Sequence, residues 1–464
     1  MSPNSPEFGR PHEGKSTRQR GVVGWVLFDW ATQPFYTLIV TFLFAPYFVT
    51  GFMDDPARGQ SLWAFTTGAA QLVAAVLAPV LGAIADGGFP RKPWIAAFSV
   101  LLVVGLCGLW FAAPGAVAYV PLVLISFAVA TLGAELATVF NNAMMPGLVS
   151  DKKLGTLSGT GWAVGYAGGL LSLALVAGLF LTDPNTGKTL FGLQPIIALD
   201  VATREGERLV GPLSALWYLV FVVPMFHFTP DRAKAARVAD PIREGLGRLA
   251  RSVKDILRHH GNVAVFLLAR MLYADGLAAV GAFGSIYAAT VFGWGPTELG
   301  LFGIILTVAA TIGALLGGLL DDRVGSKRVI VISLLVFVAG SIGVLSIDPD
   351  EILFFVSVTP KAPGAGLLAS TGERAYLAFA MLIGLALGPA QASSRTLLAR
   401  IIPSDKTTEF FGFFAFSGKV TAFAAPLAIG VVTALSGSQR LGISVSLVFL
   451  LAGLWLLLRV RPTR

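Results

Sequence analysis

Twelve apolar runs follow one another along this chain with little between them, at about 21–49, 62–85, 93–113, 119–147, 159–181, 210–227, 262–292, 298–320, 328–347, 374–400, 408–435 and 441–459. A helix of roughly 20 apolar residues spans the hydrocarbon core of a bilayer. Inside lipid, only helices and closed barrels satisfy their own backbone polar groups. Composition agrees, since 55% of the 464 residues are hydrophobic and 13% are charged, against about 25% charged in a soluble domain. A soluble enzyme is excluded. The fold class expected is an all-α membrane protein with twelve transmembrane helices.

Twelve is even, so both termini lie on one side. Of 34 Lys and Arg, 24 fall on the side of the termini, 7 on the other and 3 within helices, and Lys and Arg are retained in the cytoplasm. Both termini are therefore expected to be cytoplasmic. The net charge of +8 becomes a positive inner surface rather than a nucleic-acid footprint. The first run is too long for a cleaved leader. Cys107 is the single cysteine, so no intramolecular disulfide and no cysteine-based zinc site exist. The four histidines form no ligand set, and no cofactor is expected. The predicted organisation is a cytoplasmic tail (1–20), a six-helix half (21–228), a linker (229–261) and a second six-helix half (262–460). In the linker, Ile242, Leu246, Leu249, Val253 and Ile256 share one helical face, with Arg248, Arg251 and Lys254 elsewhere. That pattern predicts a basic amphipathic helix on the inner membrane surface, with lipid as its partner.

The two halves repeat. Gly82 to Asp86, then Arg91, recurs as Gly317 to Asp322, then Lys327; Ser150-Asp151-Lys152 recurs as Ser404-Asp405-Lys406; Asp29 is matched by Asp275. Asp86 and Asp322 stand 236 residues apart, the Ser-Asp-Lys runs 254 and the intramembrane acids 246. Parallel six-helix halves, with a substrate site between them, are the arrangement of major facilitator transporters. The Asp86/Arg91 and Asp322/Lys327 loops resemble that superfamily's signature and its copy. A carboxylate at a helix end facing a base can form a charge-assisted latch that opens when the transporter faces inward.

Charges within hydrocarbon cost several kcal/mol and mark function by default. Six stand out: Asp29, Glu135, Arg270, Asp275, Arg395 and Lys419. They fall on helices 1, 4, 7, 7, 10 and 11, and helices 1, 4, 7 and 10 line the cavity of the superfamily. Gln33 and Tyr36 lie one and two turns beyond Asp29, Gln391 one turn before Arg395, and Asn142 two turns beyond Glu135. Asn141 holds the repeat position of Arg395 and Gly165 that of Lys419, so those bases exist in one half only. Two readings stand. Three acids and three bases can neutralise one another as interhelical pairs. Alternatively Arg395 and Lys419 hold an anionic group of the substrate, with Arg270, Gln33, Tyr36, Asn141 and Gln391 beside them and Asp29, Glu135 and Asp275 carrying protons or an amino group. Gly412 to Lys419 lacks phosphate-loop spacing. The glycines from Gly155 to Gly169 read as close helix packing, and Phe410, Phe411, Phe413, Phe414 and Phe416 as core.

With Phe28-Asp29-Trp30-Ala31, Asn142 to Pro146 leading through Ser158 to Tyr166, Tyr273-Ala274-Asp275-Gly276, and Gln391 to Arg395 through Glu409 to Gly412 and Ser417-Gly418-Lys419, the chain resembles the vacuolar amino-acid effluxer-like family. This branch of the major facilitator superfamily is related to the yeast autophagy effluxer and occurs in many bacteria. The resemblance implies secondary transport, with amino-acid efflux in the fungal members. Two departures border the presumed cavity. Thr32-Gln33-Pro34 follows Ala31 where the family usually has Asn-Ser, and Pro389 stands where it tends to have Gly. Pro34 is expected to kink helix 1. Short loops point to a bacterial inner membrane. The function expected is a transporter of a small polar solute, coupled to protons or another ion or else facilitative; the alternatives are an exporter of amphiphiles such as lipids or drugs and a non-transporting receptor or scaffold. No enzymatic constellation can be assembled from these residues.

Overall fold

The computed structural model describes residues 15–182, 187–231, 247, 254, 260–294, 296–360 and 368–461. The first six crossings are α1 (Lys15–Pro34), α2 (Pro56–Asp86), α3 (Lys92–Gly108), α4 (Val120–Met144), α5 (Leu154–Leu179) and α6 (Glu205–Phe228). The last six are α7 (Gly261–Phe292), α8 (Pro296–Val324), α9 (Ser326–Leu345), α10 (Thr371–Ile401), the pair α11a (Thr407–Ser417) and α11b (Ala424–Ser436), and α12 (Gln439–Arg459). Among the described residues, eleven helical stretches are each long and apolar enough to cross a bilayer. The eleventh crossing, expected as one helix over about 408–435, is instead broken at 418–423. Gly418 ends α11a. Pro426 sits in the first turn of α11b, where its ring would clash with the carbonyl of Ala422 if the helix ran further back. Most of the linker, including Ile242, Leu246, Leu249, Val253 and Ile256, lies outside the described residues.

Proline shapes the crossings that line the interior. Pro34 has no N–H to donate to the Trp30 carbonyl four residues back; the Trp217 indole of α6 donates there instead, at 3.1 Å. Beyond Pro34 the first crossing continues as a wider π-helix, Phe35–Phe42, so the expected kink is a change of helical pitch. In α10, Pro389 frees the carbonyl of Leu385 in the same way. Gly313 and Gly317 of α8 pack against Leu385 and Pro389 with no room for a side chain.

The halves meet through two matching helix pairs. Gly82 of α2 lies on Thr408 and Glu409 of α11a, and Gly412 on Pro79. Its counterpart at the 236-residue repeat, Gly318 of α8, lies on Gly155 and Gly159 of α5. Small residues let backbones approach closely where lipid offers no hydrophobic force between helices. The glycines of α5 therefore pack as expected, and Phe410, Phe411 and Phe414 are buried. Between α9 and α10 a short antiparallel hairpin pairs Glu351–Ile352 with Val356–Ser357.

Candidate functional site

Arg395 of α10 enters a pocket built entirely by the first half. Its Nε donates to Ser158 Oγ at 2.9 Å and one terminal nitrogen to the Ser158 carbonyl at 2.8 Å. The other terminal nitrogen reaches Asn142 Oδ1 at 2.9 Å and Asp29 Oδ2 at 3.3 Å. The guanidinium carbon lies 4.8 Å from the Trp25 ring centre and 5.9 Å from that of Trp162, within cation–π range. Arg395 is 3% exposed. Trp25 is itself held by its indole N–H, which donates to the Asn141 carbonyl at 2.7 Å.

The second cross-half pair is Lys419 with Glu135, Nζ to Oε1 at 2.6 Å. Lys419 belongs to the break in the eleventh crossing, so the side chain leaves a stretch not bound into helical geometry. The Tyr36 hydroxyl shares this neighbourhood with Glu135 and Thr138. Both members are partly accessible, at 20% and 13% side-chain exposure, which sets this pair apart from enclosed Arg395. Arg270 stays within the second half. It stacks 3.5 Å from the Phe414 ring centre and donates to the Phe414 carbonyl at 2.6 Å and Ser417 Oγ at 3.2 Å, capping the negative C-terminal end of α11a. Asp275 is 2% exposed, and neither carboxylate oxygen has a hydrogen-bond partner among the described residues.

At one end of the bundle, two acids cap helices of the opposite half. Asp86 accepts from Thr408 Oγ1 at 2.8 Å and Glu409 N at 2.9 Å, at the start of α11a. Asp322 accepts from Gly155 N and Thr156 N, both at 2.8 Å, at the start of α5. A carboxylate at a helix N-terminus satisfies open N–H groups and the helix dipole together. Arg91 joins the first cap, 3.6 Å from Asp86 and 2.9 Å from Thr408 Oγ1. The second cap differs from the expected one. Lys327 donates to the carbonyls of Leu458 and Val460 at 2.7 Å each, and the base on the acids is Arg400, 2.6 Å from Asp321 and 3.2 Å from Asp322. Arg400 also donates to the Asp151 carbonyl at 3.0 Å. Lys327 starts α9 facing α12, which carries it away from the interface.

The structure thus brings Asp29, Glu135, Arg395 and Lys419 into two cross-half pairs, with Tyr36 beside one of them. Gln33 lies against Gly165 and Gly169 of α5, and Gln391 is half-buried one turn before Arg395. Asn141 is fully buried, its side-chain amide without a hydrogen-bond partner among the described residues; its neighbour Asn142 is the one that reaches Arg395. In this conformation Arg395, Lys419 and Arg270 all hold protein groups. Ser158, Trp25, Trp162, Thr408 and Arg400 are site residues that the charge search missed. The Ser158 to Tyr166 motif contained two of them, Ser158 and Trp162, as motif letters without roles.

A family model described as "Vacuole effluxer Atg22 like" matches residues 49–464. The chain is similar to the MFS-type transporter YxiO of Bacillus subtilis (strain 168), 22% identical over 93% of both chains. It is 28% identical to autophagy-related protein 22 of Cryptococcus neoformans var. neoformans over 66% of this chain and 53% of that one, so it spans about half of this fungal relative. Among solved structures, the human organic anion transporter MFSD10 matches with a TM-score of 0.69 at 14% identity, covering 97% of this chain and 100% of that one. The proton:xylose symporter XylE matches with a TM-score of 0.67 at 14% identity, covering 97% and 96%. At these identities the structural matches speak to the fold.

Proposed function

The chain belongs to the Atg22-like vacuole effluxer family, and from this premise we propose a secondary transporter of small zwitterionic or anionic solutes, amino acids first among them. It is an integral membrane protein of the major facilitator fold. The family is one of transporters rather than enzymes. The observation that carries the reading is the pair of intramembrane ion pairs, Asp29 with Arg395 and Glu135 with Lys419, each joining one half to the other.

Halves that rock must break such pairs, and a ligand or proton that competes for one member changes the balance between states. The partly accessible Lys419 is the group that takes the anionic end of a solute, displacing Glu135, with Tyr36, Gln33 and Gln391 nearby. Protonation of Glu135 or Asp29 releases its base, which links transport to a proton gradient. Arg395, saturated by the first half, acts as a tether between the halves; Asp86 with Arg91 and Asp322 with Arg400 form the cytoplasmic latch. The proposed location is a bacterial plasma membrane, in keeping with the short loops, with both termini in the cytoplasm, an orientation supported by the distribution of Lys and Arg.

A second reading, amphiphile transport, is favoured by one feature. An apolar cavity of 230 Å³ between α1, α5 and α6 is lined by Pro34, Leu38, Trp217, Val220 and Phe221. Thermal stability of the purified protein against amino acids, organic acids, sugars, polyamines and lysolipids separates the readings. A solute at 100 times its dissociation constant stabilises by about 2.7 kcal/mol. A shift with amino or organic acids that disappears in Lys419→Met supports the polar-solute reading. Shifts with lysolipids alone favour the cavity, and none at all favours a receptor or scaffold.

A further inference from the structure

The buried carboxylate of Asp275 is used by neither cross-half pair nor by the latch. It lies on α7, 2% exposed, with both oxygens lacking a hydrogen-bond partner among the described residues. An ionised carboxylate so enclosed is costly unless a cation or hydrogen bonds compensate it. Its side chain faces the hydroxyl of Thr421, which is itself buried and without a hydrogen bond. Thr421 belongs to the break between α11a and α11b. There the backbone bonds are irregular: Val420 N reaches the Phe416 carbonyl at 2.9 Å, Ala422 N the Lys419 carbonyl at 3.2 Å and Ala424 N the Thr421 carbonyl at 2.7 Å. The carbonyls of Gly418 and Val420 receive none of these bonds.

We propose that Asp275, Thr421 and the open carbonyls of the break form a binding site for a dehydrated monovalent metal cation, sodium. One carboxylate, one hydroxyl and backbone carbonyls of an unwound helix are an oxygen set suited to a hard cation. The enclosure of Asp275 favours a bare ion over the ammonium group of a solute. Arg270, on the same helix, is the charged neighbour; its guanidinium donates to Phe414 and Ser417 and lies against Gly418, so the carbonyl of Val420 is the one the break offers away from that charge. The break also carries Lys419, two residues from Thr421, so an ion that orders the break acts on the Lys419–Glu135 pair. Asp275 thereby becomes an ion ligand rather than a proton carrier.

The test needs no transported solute, so its outcome is separate from that of the substrate reading. Unfolding midpoints of the full chain in detergent are measured in sodium, lithium, potassium or choline chloride at constant ionic strength and at two pH values. The expected result is a saturable rise with sodium over choline, lost in Asp275→Asn, with half-saturating sodium raised at least tenfold in Thr421→Val and in Asp275→Glu. Should Asp275→Asn fail to fold, those two variants carry the test. Equal midpoints in sodium and choline, a sodium response unchanged in the variants, or a response to pH alone overturns the site.

Discussion

Gly161 of α5 has no room for a side chain, because a Cβ there would lie 2.6 Å from Asp29 Oδ2 and 3.0 Å from Arg395. Gly161→Ala must therefore push the pair apart at an overpacking cost of about 1–3 kcal/mol. Transport assayed in proteoliposomes is expected to fall at least tenfold, while far-ultraviolet circular dichroism stays native. Arg395→Ala is expected to abolish transport and still fold, since Ser158, Asn142 and Asp29 can then be reached by water; normal transport in that variant removes Arg395 from the mechanism. At the second pair, Glu135→Gln leaves the Lys419 ammonium without its acid. Losing one partner of a buried pair costs roughly 3–5 kcal/mol, and partial exposure puts this one near the low end. A Glu135→Lys, Lys419→Glu exchange should recover part of the stability lost in either single variant, and a thermodynamic cycle from unfolding midpoints measures how much. The charged residues of these pairs were legible from sequence as six ionisable groups in apolar runs. Which acid meets which base was not, because the partners are separated by 366 and 284 positions and are joined only when the halves dock.

Helix ends carry the proposed latch, and each end is capped by an acid of the opposite half. Removing a charged cap costs about 1 kcal/mol, enough to change a two-state ratio about fivefold. Asp86→Asn and Asp322→Asn are each expected to shift the population by that factor toward the form open to the cytoplasm, and the double variant by their product. Spin labels on the cytoplasmic ends of α2 and α11a, and of α5 and α8, measure the populations; an unchanged distance distribution in both variants counts against the latch. The Asp86 loop and its Asp322 copy were visible as a repeat. The exchange of Lys327 for Arg400 was not, because five-residue spacing describes one loop whereas the acids face a base from α10 across the helix bundle. The break in the eleventh crossing had a local signal, Gly418 and Pro426 eight residues apart. Hydropathy overrode it, since the whole stretch is apolar and averages into one run.

At the scale of the molecule, both helix caps and both intramembrane pairs join the halves, so the described conformation is the one held together at the capped end. A covalent bond across the caps should hold it there. The space at Gly155 lies against Asp321 Cβ, and a disulfide needs Cβ atoms about 3.5–4.5 Å apart, so a small shift allows one. With Cys107 replaced by serine, Gly155→Cys with Asp321→Cys is expected to stop transport when oxidised and to regain activity on reduction to the level of the same variant kept reduced. Transport that is equal in the two redox states would mean that this interface does not open during the cycle.

By itself the sequence determined that the chain lives in a membrane, crosses it twelve times and repeats its first half in its second. Run length, charge placement and repeat spacing are one-dimensional, and the bilayer converts them directly into helices and orientation. The tertiary structure alone decided that Arg395 is enclosed by the first half, that Lys419 stands in a broken helix, that Arg400 replaces Lys327, and that Asp275 is buried with no hydrogen-bond partner among the described residues. Each of those depends on which helix faces which. In lipid that choice is made by close packing of small residues and by polar groups seeking partners across the interface, forces that act between positions far apart in the chain.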